Sequence, residues 1–165
     1  MEATTQNQNT TKYKIGLALS GGGARGIAHI GVLQALTEHG IQVDALSGTS
    51  AGSIVAALYA AGKTPEEILQ FAADNTNLFK MYQFNIPKIG FTSLDYLKNK
   101  LAEILDEDSF EHLQLPCHIA ITNLQMGVVE IVSTGKLFDV VAASSSIPIL
   151  FKPIKINDDL YVDGG

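Results

Sequence analysis

The sequence predicts an α/β domain built on a parallel-centred sheet flanked by helices. Three observations carry this expectation. Short apolar runs of strand character alternate with runs of helical spacing through the first half of the 165-residue chain, the pattern of βα units that stack helices on both faces of a sheet. The first two strand runs each end in a glycine-rich turn that opens a helix. The last third is richer in β-hairpin patterns. Composition agrees: 46% hydrophobic and 17% charged residues suit a buried interior rather than disorder, and the length suffices for one domain with a core.

In chain order, MEATTQNQNTTK (residues 1–12) is polar and has no apolar core, so it reads as a disordered tail and not as a secretory signal. The domain is expected over 13–165. Tyr13 to Ser20 is a buried strand. Gly21 to Gly26 (GGGARG) is a glycine loop. Ile27, Ile30, Leu33 and Leu36 recur at helical spacing, and Gly40 stops that helix. Ile41 to Ser47 is a second strand. Ala51 to Ala61 is apolar on nearly every face, which predicts a buried helix. Thr64-Pro65-Glu66-Glu67 restarts a helix with a cap, a first-turn proline and a capping-box glutamate, running to about Asp74. Asn75 to Phe91 is apolar without a period, either a lid over an acyl pocket or a plain cover for the core. Thr92 and Asp95 look like the cap of a helix over Ser93 to Leu105. Cys117 to Leu124 and Val128 to Ser133 are strands around a turn, Leu137 to Ala143 is a short helix, and Lys152 to Ile156 with Leu160 to Val162 form a final hairpin.

Charge and composition narrow the function. Lys and Arg number 11 against 17 Asp and Glu, a net charge of -6 with no basic run, which argues against nucleic acid as a partner. Cys117 is the single cysteine, so no intrachain disulfide forms and a cysteine metal site is not expected; in a strand it is a small buried hydrophobe. No stretch reaches the ~18 apolar residues of a membrane span. A cytoplasmic location is the expectation.

Gly48-Thr49-Ser50-Ala51-Gly52 matches G-x-S-x-G between strand-like and helix-like residues. This is the context of a nucleophile elbow, where Ser50 sits on a sharp strand-to-helix turn and Gly48 and Gly52 give the backbone room. The competing reading is an ordinary helix N-cap serine. The earlier loop has three readings. Gly21, Gly23 and Gly26 fit G-x-G-x-x-G, and Asp44 lies 18 residues beyond Gly26, which resembles a dinucleotide fingerprint. Asp44, however, sits early in its strand, away from the ligand edge. A P-loop is excluded because no Lys-Ser or Lys-Thr pair follows the glycines. In the third reading, both strands end at one sheet edge, and the loop's N–H groups form an anion nest beside Ser50, an oxyanion hole for acyl transfer. Arg25 either steadies that loop or faces solvent.

A serine nucleophile needs a base. His29 lies just past the glycine loop, His39 in a helix's last turn, His112 after an acidic stretch and His118 in a strand; none occupies the late loop that carries the base of an α/β-hydrolase. Asp163 follows an apolar strand and precedes two glycines. It is either a base raised by an apolar cleft or an Asp-Gly turn residue.

GGGARG, GTSAG and DGG in this order, with Ala143-Ser144-Ser145-Ser146-Ile147-Pro148 resembling an A-S-x-x-x-P block, make the chain from about Lys14 to Gly165 similar to the patatin-like phospholipase family, and to its short bacterial members in particular. The resemblance implies a three-layer α/β/α fold and a Ser-Asp dyad without histidine. Ser50 would be the acyl nucleophile and Asp163 the base. Gly21, Gly22, Gly23, Arg25 and Gly26 would form the oxyanion loop, and Gly48 and Gly52 would frame the elbow. The implied activity is hydrolysis of acyl esters of phospholipids or lysophospholipids, with no metal or organic cofactor and with peripheral membrane contact. Family domains continue past DGG, so a chain stopping at Gly165 is expected to lack the C-terminal part of the domain. A non-catalytic lipid- or acyl-binding regulatory module is the alternative, and a dinucleotide-binding protein the more remote one.

Overall fold

A computed structural model describes residues 15–76 and 94–165. They form a six-stranded sheet from β1 (Gly16–Leu19), β2 (Ala45–Gly48), β3 (Cys117–Asn123), β4 (Val128–Val132), β5 (Ile154–Ile156) and β6 (Asp159–Asp163). The helices are α1 (Ile27–Glu38), α2 (Ala51–Ala60), α3 (Pro65–Asp74), α4 (Asp95–Ile104) and α5 (Leu137–Ser144), with 3-10 turns at Gly23–Gly26 and Phe110–His112. The polar tail over 1–12, Tyr13 and Lys14 of the first strand, and all but the first two residues of the aperiodic segment over 75–91 lie outside the described residues.

The sheet is parallel at its centre and antiparallel at its margins. β1 pairs with β2 in parallel (Gly16↔Ala45 to Leu19↔Gly48), and β2 pairs with β3 in parallel (Leu46↔Cys117 to Gly48↔Ile119). β4 runs antiparallel along residues 119–123 of β3. β6 also runs antiparallel to β3, from Asn123↔Tyr161 to Ile121↔Asp163. A strand has two edges. Because β4 overlaps the β3 residues used by both β2 and β6, those two strands share the opposite edge. They arrive from opposite directions and stop on either side of Ala120, so Gly48 and Asp163 close two strands that meet end to end. That topology positions the site.

Helices flank this sheet. α2 packs on β1, β2 and β3, and α5 on β3, β5 and β6. α2 is buried at every residue except Tyr59, as a helix apolar all round must be. Burial of a side chain such as Ile54, Leu58 or Ile119 stabilises by roughly 1.5–3 kcal/mol over its exposed form. The alternation of β3 places Cys117, Ile119 and Ile121 toward α2 and α5, while His118, Ala120 and Thr122 take the other face, which stays half-buried. Cys117 is a core hydrophobe, and burial pushes its thiol up to about 12.

The local signals explain most boundaries. α3 begins with the expected capping box: Glu67 N–H donates to Thr64 Oγ1 at 3.2 Å and Thr64 N–H to Glu67 Oε2 at 2.8 Å. α1 ends at Gly40, whose φ of +66° lets Ile41 N–H return to Leu36 O at 2.9 Å. β2 starts at Ala45 rather than Ile41, because its ladder partner β1 starts at Gly16 and the Asp44 carboxylate takes the Ile15 N–H at 2.8 Å. α4 starts at Asp95, with Leu94 in the capping position and no side-chain bond, so Asp95 belongs to the first turn instead of capping it; Thr92 lies outside the described residues.

Candidate active site

The elbow is a real strand-to-helix turn. β2 ends at Gly48, α2 begins at Ala51, and Ser50 between them has φ +53° and ψ −126°. A non-glycine residue in such a region costs on the order of 1–3 kcal/mol and persists only where its surroundings hold it. They do: Thr49 N–H donates to Leu19 O at 3.0 Å, Ser53 N–H to Ser50 O at 2.9 Å, and Ser53 Oγ to the same carbonyl at 2.6 Å. Gly48 and Gly52 are required by close approach. A Cβ on Gly48 would fall 2.6 Å from Ser53 Cα, and one on Gly52 would strike Leu19 O and lie 2.6 Å from Ser20 O. Ser50 carries the unusual φ while the two glycines let β1, β2 and α2 converge. Ser50 is only 5% exposed.

The glycine loop stands beside it, as expected from two parallel strands ending at one edge. A Cβ on Gly21 would lie 3.1 Å from Ser50 Cβ and 3.8 Å from its Oγ. Gly22 (φ +154°) and Gly23 (φ +56°) take conformations that L side chains rarely adopt. Among the described residues, nothing accepts from the backbone N–H of Gly21 or Gly22. Gly26 has a different place: it is buried against the start of α2, where a Cβ would come 2.6 Å from Ala51 Cβ. Arg25 is exposed, and its N–H closes the 3-10 turn on Gly22 O at 3.1 Å. His29 Nε2 lies 2.8 Å from Ser20 O and ties α1 to the same loop.

Asp163, at the end of β6, completes the cluster. The Ser50 side chain lies close enough to its carboxylate to favour the ionised form. Gly165 N–H donates to Asp163 Oδ1 at 2.9 Å, and Asp163 N–H to Ser146 O at 2.9 Å. Burial pushes the carboxyl above the usual aspartate range, opposed by the nearby Ser50 side chain and by the Gly165 N–H. Gly164 passes so close to Ala120 O that a Cβ would strike it.

The other candidates stand apart. Among the described residues no histidine is hydrogen-bonded to Ser50; His39 bonds its own helix at Ala35 O (2.8 Å), His112 is exposed, and His118 sits beside Ser47 in the sheet. Asp44 holds Ile15 at the end of the sheet opposite the glycine loop, which removes the dinucleotide geometry.

The Ala143–Pro148 block is tied into the site by hydrogen bonds that its sequence does not announce. Ser144 Oγ accepts the Ser50 N–H at 2.9 Å and donates to Ala120 O at 2.7 Å. Ser146 Oγ donates to Lys152 O at 2.7 Å, while its carbonyl receives Asp163 N–H. Adjacent small polar residues after a buried helix were the available signal.

Comparison with known proteins agrees with this geometry. The family model for patatin-like phospholipase matches residues 17–165. The lysophospholipase NTE1 of Cryptococcus neoformans is 35% identical over 161 residues, covering 92% of this chain and 10% of the relative. The lysophospholipase NTE1 of Saccharomyces cerevisiae is 34% identical over 156 residues, covering 92% of this chain and 9% of its own. The chain thus spans about a tenth of these relatives. Among solved structures, VipD from Legionella pneumophila shares the fold at 20% identity and a TM-score of 0.62, over 93% of this chain and 46% of VipD. ExoU from Pseudomonas aeruginosa, in complex with SpcU, matches at 19% identity and a TM-score of 0.58, over 82% of this chain and 39% of the neighbour. With a family match over almost the whole chain and curated relatives above 30% identity, this chain belongs to the patatin-like phospholipase family.

Proposed function

We propose that the chain carries the catalytic centre of a serine hydrolase that cleaves acyl esters of phospholipids or lysophospholipids through an acyl-Ser50 intermediate, with Asp163 as the base. The observation that carries this is Ser50, on an elbow of positive φ, set beside a carboxylate whose proton affinity burial raises. Family membership and relatives named lysophospholipase support the substrate class.

Ser50 Oγ attacks the ester carbonyl as its proton passes to Asp163. The carbonyl oxygen becomes an oxyanion beside the N–H groups of Gly21 and Gly22, and losing one such donor typically costs roughly 100- to 1,000-fold in rate. The ester C–O bond breaks, the protonated carboxyl returns its proton to the leaving alcohol, and the acyl group stays on Ser50. Water then attacks the acyl-enzyme, giving its proton to Asp163, and the tetrahedral species collapses as Asp163 returns that proton to the departing Ser50 Oγ, which frees the fatty acid and restores the hydroxyl. A carboxylate suits this cycle only if its proton affinity is raised, which burial does here.

No helix among the described residues is long and apolar enough to cross a membrane. In the proposed activity the domain meets its lipid substrate at a membrane or micelle surface. A fluorophosphonate probe is expected to label the protein at Ser50 and to leave Ser50→Ala unlabelled; equal labelling of both overturns the proposal.

A further inference from the structure

The bonds that hold the turn at Ser50 come from three parts of the chain. Thr49 N–H reaches Leu19, and Ser53 returns to the Ser50 carbonyl through both its N–H and its hydroxyl. The Ser50 N–H itself is held by a residue far along the chain, at the C-terminal end of α5: Ser144 Oγ, at 2.9 Å. Ser144 is wholly buried, so no water is at hand to take over that bond.

The same hydroxyl donates to Ala120 O at 2.7 Å. Ala120 is the β3 residue where β2 stops and β6 begins on the shared edge, because β2 pairs through Ile119 and β6 from Ile121. The Ser144 hydroxyl therefore fills the gap in the sheet between the strand that leads to Ser50 and the strand that ends at Asp163. A hydroxyl is suited to this, having one donor for the Ala120 carbonyl and a lone pair for the Ser50 N–H; an alanine leaves both groups buried and unpaired. Two residues on, Ser146 O accepts Asp163 N–H at 2.9 Å. One short segment thus grips the backbones of both reacting residues.

We propose that Ser144 is a positioning residue for the acyl transfer: its hydroxyl fixes the Ser50 backbone relative to β3 and Asp163, and so aims Ser50 Oγ at the carboxylate. Ser144 touches no substrate. The inference rests on the reading of Ser50 as nucleophile. Misplacing a reacting atom by about 1 Å costs on the order of 100-fold, so Ser144→Ala is expected to lower the acylation rate roughly 10- to 100-fold with KM nearly unchanged.

The test measures kcat for a p-nitrophenyl ester per active site, with sites counted by fluorophosphonate titration, in the full chain. Counting sites removes any loss due to unfolded protein, so a purely structural role does not move the value. Ser144→Thr, which keeps the hydroxyl, is expected to recover most of the rate. Ser145→Ala, which deletes the neighbouring buried hydroxyl that contacts neither reacting residue, is expected to match wild type. If wild type labels and turns over but Ser144→Ala does so at the same rate per site, or if Ser145→Ala loses as much as Ser144→Ala, the positioning role is overturned while the Ser50 reading stands. If wild type neither labels nor turns over, the Ser50 reading falls and the role of Ser144 falls with it.

Discussion

Ser50 sits beside the Asp163 carboxylate, and the two residues approach each other from strands that end head to head beside Ala120 of β3. Under the proposed mechanism no histidine is needed, because β6 runs back along the edge that β2 vacates. It delivers a carboxylate where another hydrolase places an imidazole. The cost is a half-buried aspartate whose charge is poorly solvated, and two expectations follow from that cost.

The first concerns activity. Asp163 works as a base only when ionised, and burial holds its pKa above the ordinary aspartate value. Under the proposed mechanism, kcat/KM should therefore rise with pH through that raised pKa to a plateau. Asp163→Asn keeps the shape but cannot take the proton, and should lower kcat by about 100- to 10,000-fold. A pH–rate profile of p-nitrophenyl ester hydrolysis checks both. Full activity in Asp163→Asn removes the dyad.

The second concerns stability, and its sign is opposite. The folded state holds the Asp163 proton to higher pH than the unfolded chain does. Between the two pKa values the folded state binds more protons, so this group's contribution to stability is present below the unfolded pKa and is lost as pH rises through the folded one. Asp163→Asn should then melt higher than wild type at neutral pH, with the difference vanishing as pH falls below the ordinary aspartate range. Thermal melts across pH would show it. A variant less stable than wild type at neutral pH would mean that the interactions with Ser50 and the Gly165 N–H outweigh burial.

Much of this site was legible in the sequence because local rules wrote it. Thr64, Pro65 and Glu67 encode a cap and Gly40 a stop, each within a single turn, and the all-round apolar run from Ala51 encodes a buried helix. GTSAG and GGGARG each name a turn, and two parallel strands bring such turns to one edge. What was not legible is long-range. β6 could have joined several edges, and only the register Ile121↔Asp163 brings its end to Ser50. The Ser144 bond spans 94 residues, and no periodicity in Ala143 to Pro148 reports it. Ile41 and Val43 look like strand residues, yet β2 begins at Ala45, because pairing begins only where β1 is present.

The glycines at the elbow are separable by what surrounds them. Gly52→Ala drives a Cβ into the Leu19 and Ser20 carbonyls, which are fixed backbone. The collision should cost at least the roughly 1–3 kcal/mol of an overpacked core. Gly31, inside α1, has nothing within 4 Å of where its Cβ would be, so Gly31→Ala should stabilise by about 0.5–1 kcal/mol. Urea midpoints for the pair check the contrast. If Gly52→Ala is as stable as wild type, the tight approach of β1 to α2 is not what that glycine is for.

Ser145 offers a test of a different kind. Its side chain is fully buried, yet among the described residues its Oγ has no hydrogen-bond partner, while the hydroxyls of Ser144 and Ser146 on either side are bonded. An unsatisfied buried hydroxyl costs about 1–3 kcal/mol. Ser145→Ala removes it and keeps the Cβ, so the variant should gain about 1 kcal/mol, or roughly 2–4 °C in Tm for a domain of this size. Ser146→Ala should lose a comparable amount, because it takes away the donor to Lys152 O. Thermal denaturation of both variants at one pH decides it. A lower Tm for Ser145→Ala would show that this hydroxyl is satisfied after all, and that the whole serine run, rather than its two outer members, is wired into the backbone around Ser50 and Asp163.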